Sequence, residues 1–193
     1  MPIKTFSLML CLSLFLDACQ KVERNPPDNR FDDITLEARL HFQHTSGVQG
    51  RYLLAEIMGS GGALFDYDND GDLDIYLVNG GAAAANPSDS ANKLFQRNAD
   101  GSYQDVSKTS GLDDPGFGMG SALGDFDNDG DLDIYVSNVD HDRLYLNNGD
   151  TSFTDISVEA GIQGHGWSSS ATFCDIDDDG FLDLYVATYV TQE

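Results

Sequence analysis

The stretch "FDYDNDGDLDIYLVN", residues 65–79, places an aspartate at every second position and then turns abruptly apolar. Asp66, Asp68, Asp70, Asp72 and Asp74 repel one another, so either a divalent cation sits among them or the tract is disordered. The bulk composition argues against disorder. The 193 residues carry a net charge of −23 yet keep an apolar share of 40%, ordinary for a globular protein. The acidity is also lopsided, with 28 Asp against 5 Glu. Asp suits tight loops and short-reach metal ligation, whereas a solvated helical surface favours Glu. Such a field disfavours nucleic acid and anionic membrane surfaces as partners and favours cations.

The opening stretch recurs. "LGDFDNDGDLDIYVSN" (123–138) and "FCDIDDDGFLDLYVAT" (173–188) repeat it, the last two copies being offset by 50 residues. Between them "NKLFQRNADGSYQDVSKTSGL" (92–112) matches "DRLYLNNGDTSFTDISVEAGI" (142–162) at the same offset. The first two copies are 59 apart, and the extra residues fall in "GGAAAANPSDS" (80–90), which reads as a loop insertion. Within a repeat the segments are short, rich in β-branched and aromatic residues, and separated by Asn/Asp/Gly turns. Nowhere does a long 3.6-residue stripe appear. Four short antiparallel strands per repeat predict an all-β fold of β-propeller blades. The chain holds about 2.5 of them: two complete repeats and half of a third. Fewer than four blades cannot close a ring. The sequence therefore predicts a fragment, or a piece that must associate, with an exposed sheet edge and apolar face at its open end. "RLHFQHTSG" (39–47) resembles the last-strand end of a repeat and is expected to belong to a closing blade.

Numbered from its first aspartate, each turn has carboxylates at positions 1, 3, 5 and 9 and glycine at 6. These are Asp66, Asp68, Asp70 and Asp74 with Gly71; Asp125, Asp127, Asp129 and Asp133 with Gly130; and Asp175, Asp177, Asp179 and Asp183 with Gly180. Ca²⁺ takes six to eight oxygens in flexible geometry, and the glycine permits the sharp turn that closes such a ring. Position 7 varies as Asp72, Asp131 and Phe181, so it is expected to contribute its backbone carbonyl. An EF-hand fails on position 12, where a bidentate Glu is needed and Leu77, Val136 and Val186 stand. Mg²⁺ fits less well, because it keeps its waters and demands octahedral geometry. A metal-free acidic turn would have to gather fifteen acidic residues into three nine-residue windows. About three Ca²⁺ sites are expected. Apolar positions 2 (Tyr67, Phe126, Ile176) and 8 (Leu73, Leu132, Leu182) are expected to pin each turn to a sheet core.

These turns, the Gly-rich lead-ins "MGSGGA" and "FGMGSA", and the hairpin ends "YQDVS" and "FTDIS" resemble FG-GAP (VCBS-type) repeats. Those are the calcium-bearing blades of integrin α-subunit propellers. The fuller pattern over about residues 40–190 is similar to the bacterial relatives of cartilage acidic protein. That resemblance implies a seven-bladed propeller with calcium in its loops, and often a further C-terminal domain.

The N-terminus reads as a targeting segment. Lys4 precedes "FSLMLCLSLFL" (6–16), a signal-peptide core too short to span a bilayer. Leu16 and Ala18 before Cys19 resemble a bacterial lipoprotein cleavage site, with Cys19 lipidated, although Asp17 departs from that pattern. Cleavage of an ordinary secretory signal nearby is the other reading. On the lipoprotein resemblance, Gln20 points to the outer membrane. The expected organisation is signal peptide 1–18, tether 19–36 and partial propeller 37–193. The chain is then extracytoplasmic, at the cell surface or secreted, and any membrane contact runs through the lipid on Cys19.

Cys174 remains alone, so no disulfide framework is available, and its apolar strand context predicts a buried, inert thiol. His41, His44, His141 and His165 lack zinc-ligand spacing. "GFGMG" (116–120) precedes a strand rather than a helix, and so suggests tight packing rather than a phosphate loop. Trp167, Tyr76, Tyr135 and Tyr185 are expected in the core. The expectation is a non-catalytic module for adhesion, with a protein or glycan ligand. The alternative is a fragment of an extracytoplasmic polysaccharide-acting propeller enzyme.

Overall fold

The computed structural model describes residues 31–46, 54–81, 89–162 and 166–191. The signal peptide, Cys19, most of the tether, most of the 80–90 insertion and His165 lie outside the described residues. The chain divides into Met1–Ile34 and Thr35–Glu193. In the first unit, residues 31–34 are exposed and without regular structure.

The second unit is all-β. One four-stranded antiparallel sheet comprises β1 (Gly62–Phe65), β2 (Asp74–Leu77), β3 (Lys93–Arg97) and β4 (Tyr103–Asp105), in that order. A second repeats the order with β5 (Gly118–Gly124), β6 (Asp133–Asn138), β7 (Arg143–Asn147) and β8 (Phe153–Asp155). A third pairs β9 (Gly166–Cys174) with β10 (Asp183–Thr191). Within each sheet, consecutive strands pair antiparallel with their neighbours in sequence, so each repeat makes a meander, as in incomplete propeller blades. Register repeats too: Phe65 faces Asp74, Gly124 faces Asp133, and Cys174 faces Asp183.

The sheets stack face to face. Phe65, Tyr67, Tyr76, Val78 and Leu94 of the first repeat share a buried cluster with Ile134, Val136, Tyr145 and Phe153 of the second. Ala122, Tyr135 and Leu144 form the next cluster, with Phe126, Ala171, Phe173, Leu184 and Val186 packed against it. Sandwiched between two neighbours, β6 is buried at all six positions. "GFGMG" is a close-packing site, as its composition suggests. A Cβ on Gly118 would stand 2.2 Å from Val78 Cγ1, and the Gly118 N–H donates to the Asn79 carbonyl at 3.0 Å.

Polar staples repeat across the blades. Asn92 Nδ2 donates to the Tyr76 hydroxyl at 2.9 Å, and the Asn79 N–H donates to Asn92 Oδ1 at 2.7 Å. Asp142 takes the same place in the second repeat. It accepts the Tyr135 hydroxyl at 2.6 Å, the Asn138 N–H at 2.6 Å and the Ser168 hydroxyl at 2.6 Å. Ser107 and Ser157 each accept the N–H of a third-strand residue, Leu94 and Leu144, at 2.9 Å.

Several expectations fail here. Of residues 39–47, the described residues 39–46 form no strand; just ahead of them the Ala38 carbonyl accepts the Tyr103 N–H at 2.8 Å, and within them the Thr45 N–H donates to Asn79 Oδ1 at 2.7 Å. Cys174 is exposed rather than buried. Tyr76 and Tyr135 are core residues, but Tyr185 at the equivalent position is 62% exposed. Trp167 is half-buried and packs on Tyr189 in a tilted arrangement, with ring centroids 4.8 Å apart. At the turns, Tyr67 is buried and Phe126, Leu132 and Leu182 are half-buried, whereas Leu73 and Ile176 are exposed. Burial follows the neighbouring sheet rather than the residue's own pattern, and no described sheet covers Leu73, Ile176, Cys174 or Tyr185.

Candidate metal centres

Each acidic turn joins the first two strands of its sheet and is held by the same backbone donations. The first aspartate accepts twice, from the N–H groups of positions 5 and 6. Asp66 accepts from Asp70 at 3.1 Å and Gly71 at 2.8 Å. Asp125 accepts from Asp129 and Gly130, both at 3.0 Å. Asp175 accepts from Asp179 at 3.1 Å and Gly180 at 2.9 Å. The position-5 carboxylates accept the position-7 N–H: Asp70 from Asp72 at 2.8 Å, Asp129 from Asp131 at 2.9 Å, and Asp179 from Phe181 at 2.8 Å.

Two residues per turn lie in the left-handed region. The glycines have φ of 90°, 100° and 89°; Asn69, Asn128 and Asp178 at position 4 have φ of 58°, 60° and 63°. The glycine is legible in the sequence. The position-4 residue was missed, although Asn and Asp are the side chains that tolerate this region.

Position 9 does a second job that spacing alone does not reveal. Asp74, Asp133 and Asp183 accept the position-2 N–H of Tyr67, Phe126 and Ile176 at 3.2, 3.1 and 2.9 Å, closing the turn. Asp74 and Asp133 also reach the third strand, accepting the Arg97 N–H at 2.7 Å and the Asn147 N–H at 2.8 Å.

The turns gather carboxylate oxygens within 4.8 Å of one another: Asp66, Asp68 and Asp70; Asp125, Asp127 and Asp133; Asp175, Asp177 and Asp183. Asp74, Asp129 and Asp179 stand outside these groups, held by the N–H donations above. At position 7 the side chains turn to other partners. Asp72 pairs with Arg97, and Asp131 accepts Asn69 Nδ2 from the neighbouring turn. Phe181 is exposed. Asn128 Nδ2 likewise crosses to the third turn, donating to the Gly180 carbonyl at 3.0 Å.

Electrostatics inside the turns favour a cation. Burial, then repulsion from neighbouring aspartates, raises the Asp68, Asp74 and Asp127 carboxyls above the usual range and pushes Asp133 up to about 6. Asp68 Oδ2 accepts Gln96 Nε2 at 2.6 Å, but Asp68 Oδ1 is buried with no hydrogen-bond partner. A buried acceptor without a donor, among all-oxygen neighbours of one sign, fits a hard divalent ion. The histidines do not join these groups: His41, His44 and His141 are exposed.

Sheets that repeat in register, each with a cluster of carboxylates in the turn between its first two strands, define an all-β repeat protein of propeller type. The FG-GAP-like repeat family matches residues 66–136 and 128–186, more than half of the sequence, and the chain belongs to that family. A comparison with curated proteins finds no match.

Proposed function

We propose that the chain is a non-catalytic, extracytoplasmic binding module whose three acidic turns take Ca²⁺. Asp66, Asp68 and Asp70, then Asp125, Asp127 and Asp133, then Asp175, Asp177 and Asp183 supply the first carboxylate ligands. The unpartnered, buried Asp68 Oδ1 carries this reading, since a buried acceptor needs a donor or a cation. Bound Ca²⁺ neutralises each turn and ties the first two strands of its sheet together. The presented surface then serves adhesion, through a protein or glycan ligand, with the chain secreted or anchored by lipid on Cys19. Affinities of about 10⁻⁴–10⁻³ M per site suit an extracellular module.

Calorimetric titration of the chelator-treated chain with Ca²⁺ tests this, read beside the melting temperature. Saturation at about 100 times the dissociation constant adds about 2.7 kcal/mol per site. Absence of binding heat, together with a melt unmoved by excess chelator, would refute the reading.

A further inference from the structure

The acidic turns touch one another, and both contacts follow one rule. Asn69, at position 4 of the first turn, donates through Nδ2 to Asp131 Oδ1 of the second. Asn128, at position 4 of the second turn, donates through Nδ2 to the Gly180 carbonyl of the third at 3.0 Å. The receivers stand at positions 7 and 6, and their own N–H groups already serve their turn. The Asp131 N–H donates to Asp129 Oδ1 and the Gly180 N–H to Asp175 Oδ2, both at 2.9 Å. This short segment is thus held both from within its turn and from the turn before it.

Turn geometry alone does not call for the amide. Asn69 and Asn128 have φ of 58° and 60°, and Asp178 adopts 63° in the third turn with a carboxylate that donates nothing. Asn, Asp and Gly all accept the left-handed backbone. What Asn adds at this position is the N–H that crosses. Each donor also adjoins carboxylates that gather with their fellows. Asn69 lies between Asp68 and Asp70 of the first cluster, and Asn128 follows Asp127 of the second.

We infer that Asn69 and Asn128 are positioning residues that couple metal binding in one turn to metal binding in the next. This rests on the binding of Ca²⁺ proposed above. Without a cation the clustered aspartates repel one another, and the backbone between them is driven apart. Neutralised, that backbone settles, and the amide it carries is fixed toward the following turn. Positions 6 and 7 of that turn are then already ordered, so its own ion costs less conformational freedom to bind. Linkage makes the effect mutual, an ion in the later turn favouring the earlier one by the same factor. One exposed hydrogen bond supplies about a two- to tenfold change in affinity. Direct repulsion between two bound cations acts in the opposite sense, but it does not pass through the amide, so a variant cycle separates the two.

Each turn carries its own reporter for the test. The Gly71, Gly130 and Gly180 N–H groups donate to Asp66, Asp125 and Asp175 at 2.8, 3.0 and 2.9 Å, so their amide resonances read occupancy turn by turn. The full chain, isotope-labelled and freed of metal by chelator, is titrated with Ca²⁺ as the parent, Asp68→Asn, Asn69→Gly and the double variant. Asn69→Gly keeps the left-handed backbone and removes the amide at an exposed position, so folding survives it. Asp68→Asn empties the first turn, which the Gly71 resonance verifies. It should weaken the second turn, read at Gly130, about two- to tenfold more in the parent background than in the Asn69→Gly background. Asp127→Asn with Asn128→Gly should repeat the result at Gly180. An equal effect in both backgrounds, with Ca²⁺ still bound, overturns the coupling and leaves calcium binding standing. Asn69→Gly weakening its own turn alone also overturns it, since Asn69 would then only shape the turn it sits in. Glycine resonances indifferent to Ca²⁺ overturn the coupling and the proposed function together.

Discussion

Asp133 offers the sharpest test of how the turns are built. It is fully buried, and its two oxygens accept two backbone N–H groups, Phe126 at 3.1 Å and Asn147 at 2.8 Å. Asp133→Ala leaves both donors unsatisfied, each costing about 1–3 kcal/mol, and opens a small void besides. The sum is about 2–6 kcal/mol. At about 2–4 °C per kcal/mol for a chain of this size, the melting temperature should fall by roughly 10 °C. Asp133→Asn keeps one acceptor and turns an amide toward the other N–H, so its loss should be about half. Melts of the three proteins followed by circular dichroism in excess chelator separate this structural role from any metal-binding role. If Asp133→Ala melts within about 2 °C of the parent in chelator, the carboxylate is not what closes the turn.

Other expectations follow from the repeated staples. Gly118→Ala forces a Cβ against Val78 Cγ1 and should destabilise by about 1–3 kcal/mol in a denaturant titration. Asp142→Asn reproduces the Asn92 arrangement of the first repeat and should lose less than about 1.5 kcal/mol, whereas Asp142→Ala strands the Asn138 N–H and should lose about 3 kcal/mol. Ser157→Ala removes the hydroxyl that accepts the Leu144 N–H and should cost about 1–2 kcal/mol, matched by Ser107→Ala in the first repeat. Asp68→Asn, which gives the orphan oxygen's carboxylate no charge to offer a cation, should remove one Ca²⁺ equivalent in calorimetry while leaving the chelator-treated melt nearly unchanged.

Strand number and order were legible because they depend on short-range signals: period two, Gly-containing turns and a fixed repeat offset. The count of four, four and two strands follows from reading the repeats as they stand. Burial was not legible for the same reason. "DIYL", "DIYV" and "DLYV" are nearly the same string, yet Tyr76 and Tyr135 are buried and Tyr185 is open, because exposure is decided by the next sheet and not by the strand. Cys174 was misplaced on the same ground. The staples escaped notice because they join positions far apart in the chain, as when Asn147 Nδ2 donates to the Tyr67 carbonyl at 3.0 Å across 80 residues.

Spacing identified the aspartates but treated them as equals, and the structure divides them by task. Positions 1 and 5 shape the turn by accepting N–H groups from within it, and position 9 clamps the turn to its neighbours. Position 3 is different: Asp127 takes a weak 3.3 Å contact from the Asp129 N–H, and Asp68 accepts Gln96 Nε2 on one oxygen while its other oxygen has no partner. The turn's geometry thus rests on its own backbone donations, and what those donations leave unanswered is charge. Five carboxylates within nine residues can be held in one shape by N–H groups, but N–H dipoles do not cancel their mutual repulsion. A cation in such a turn acts chiefly by neutralisation, so its contribution to stability should be large while the strand register it supports stays the same.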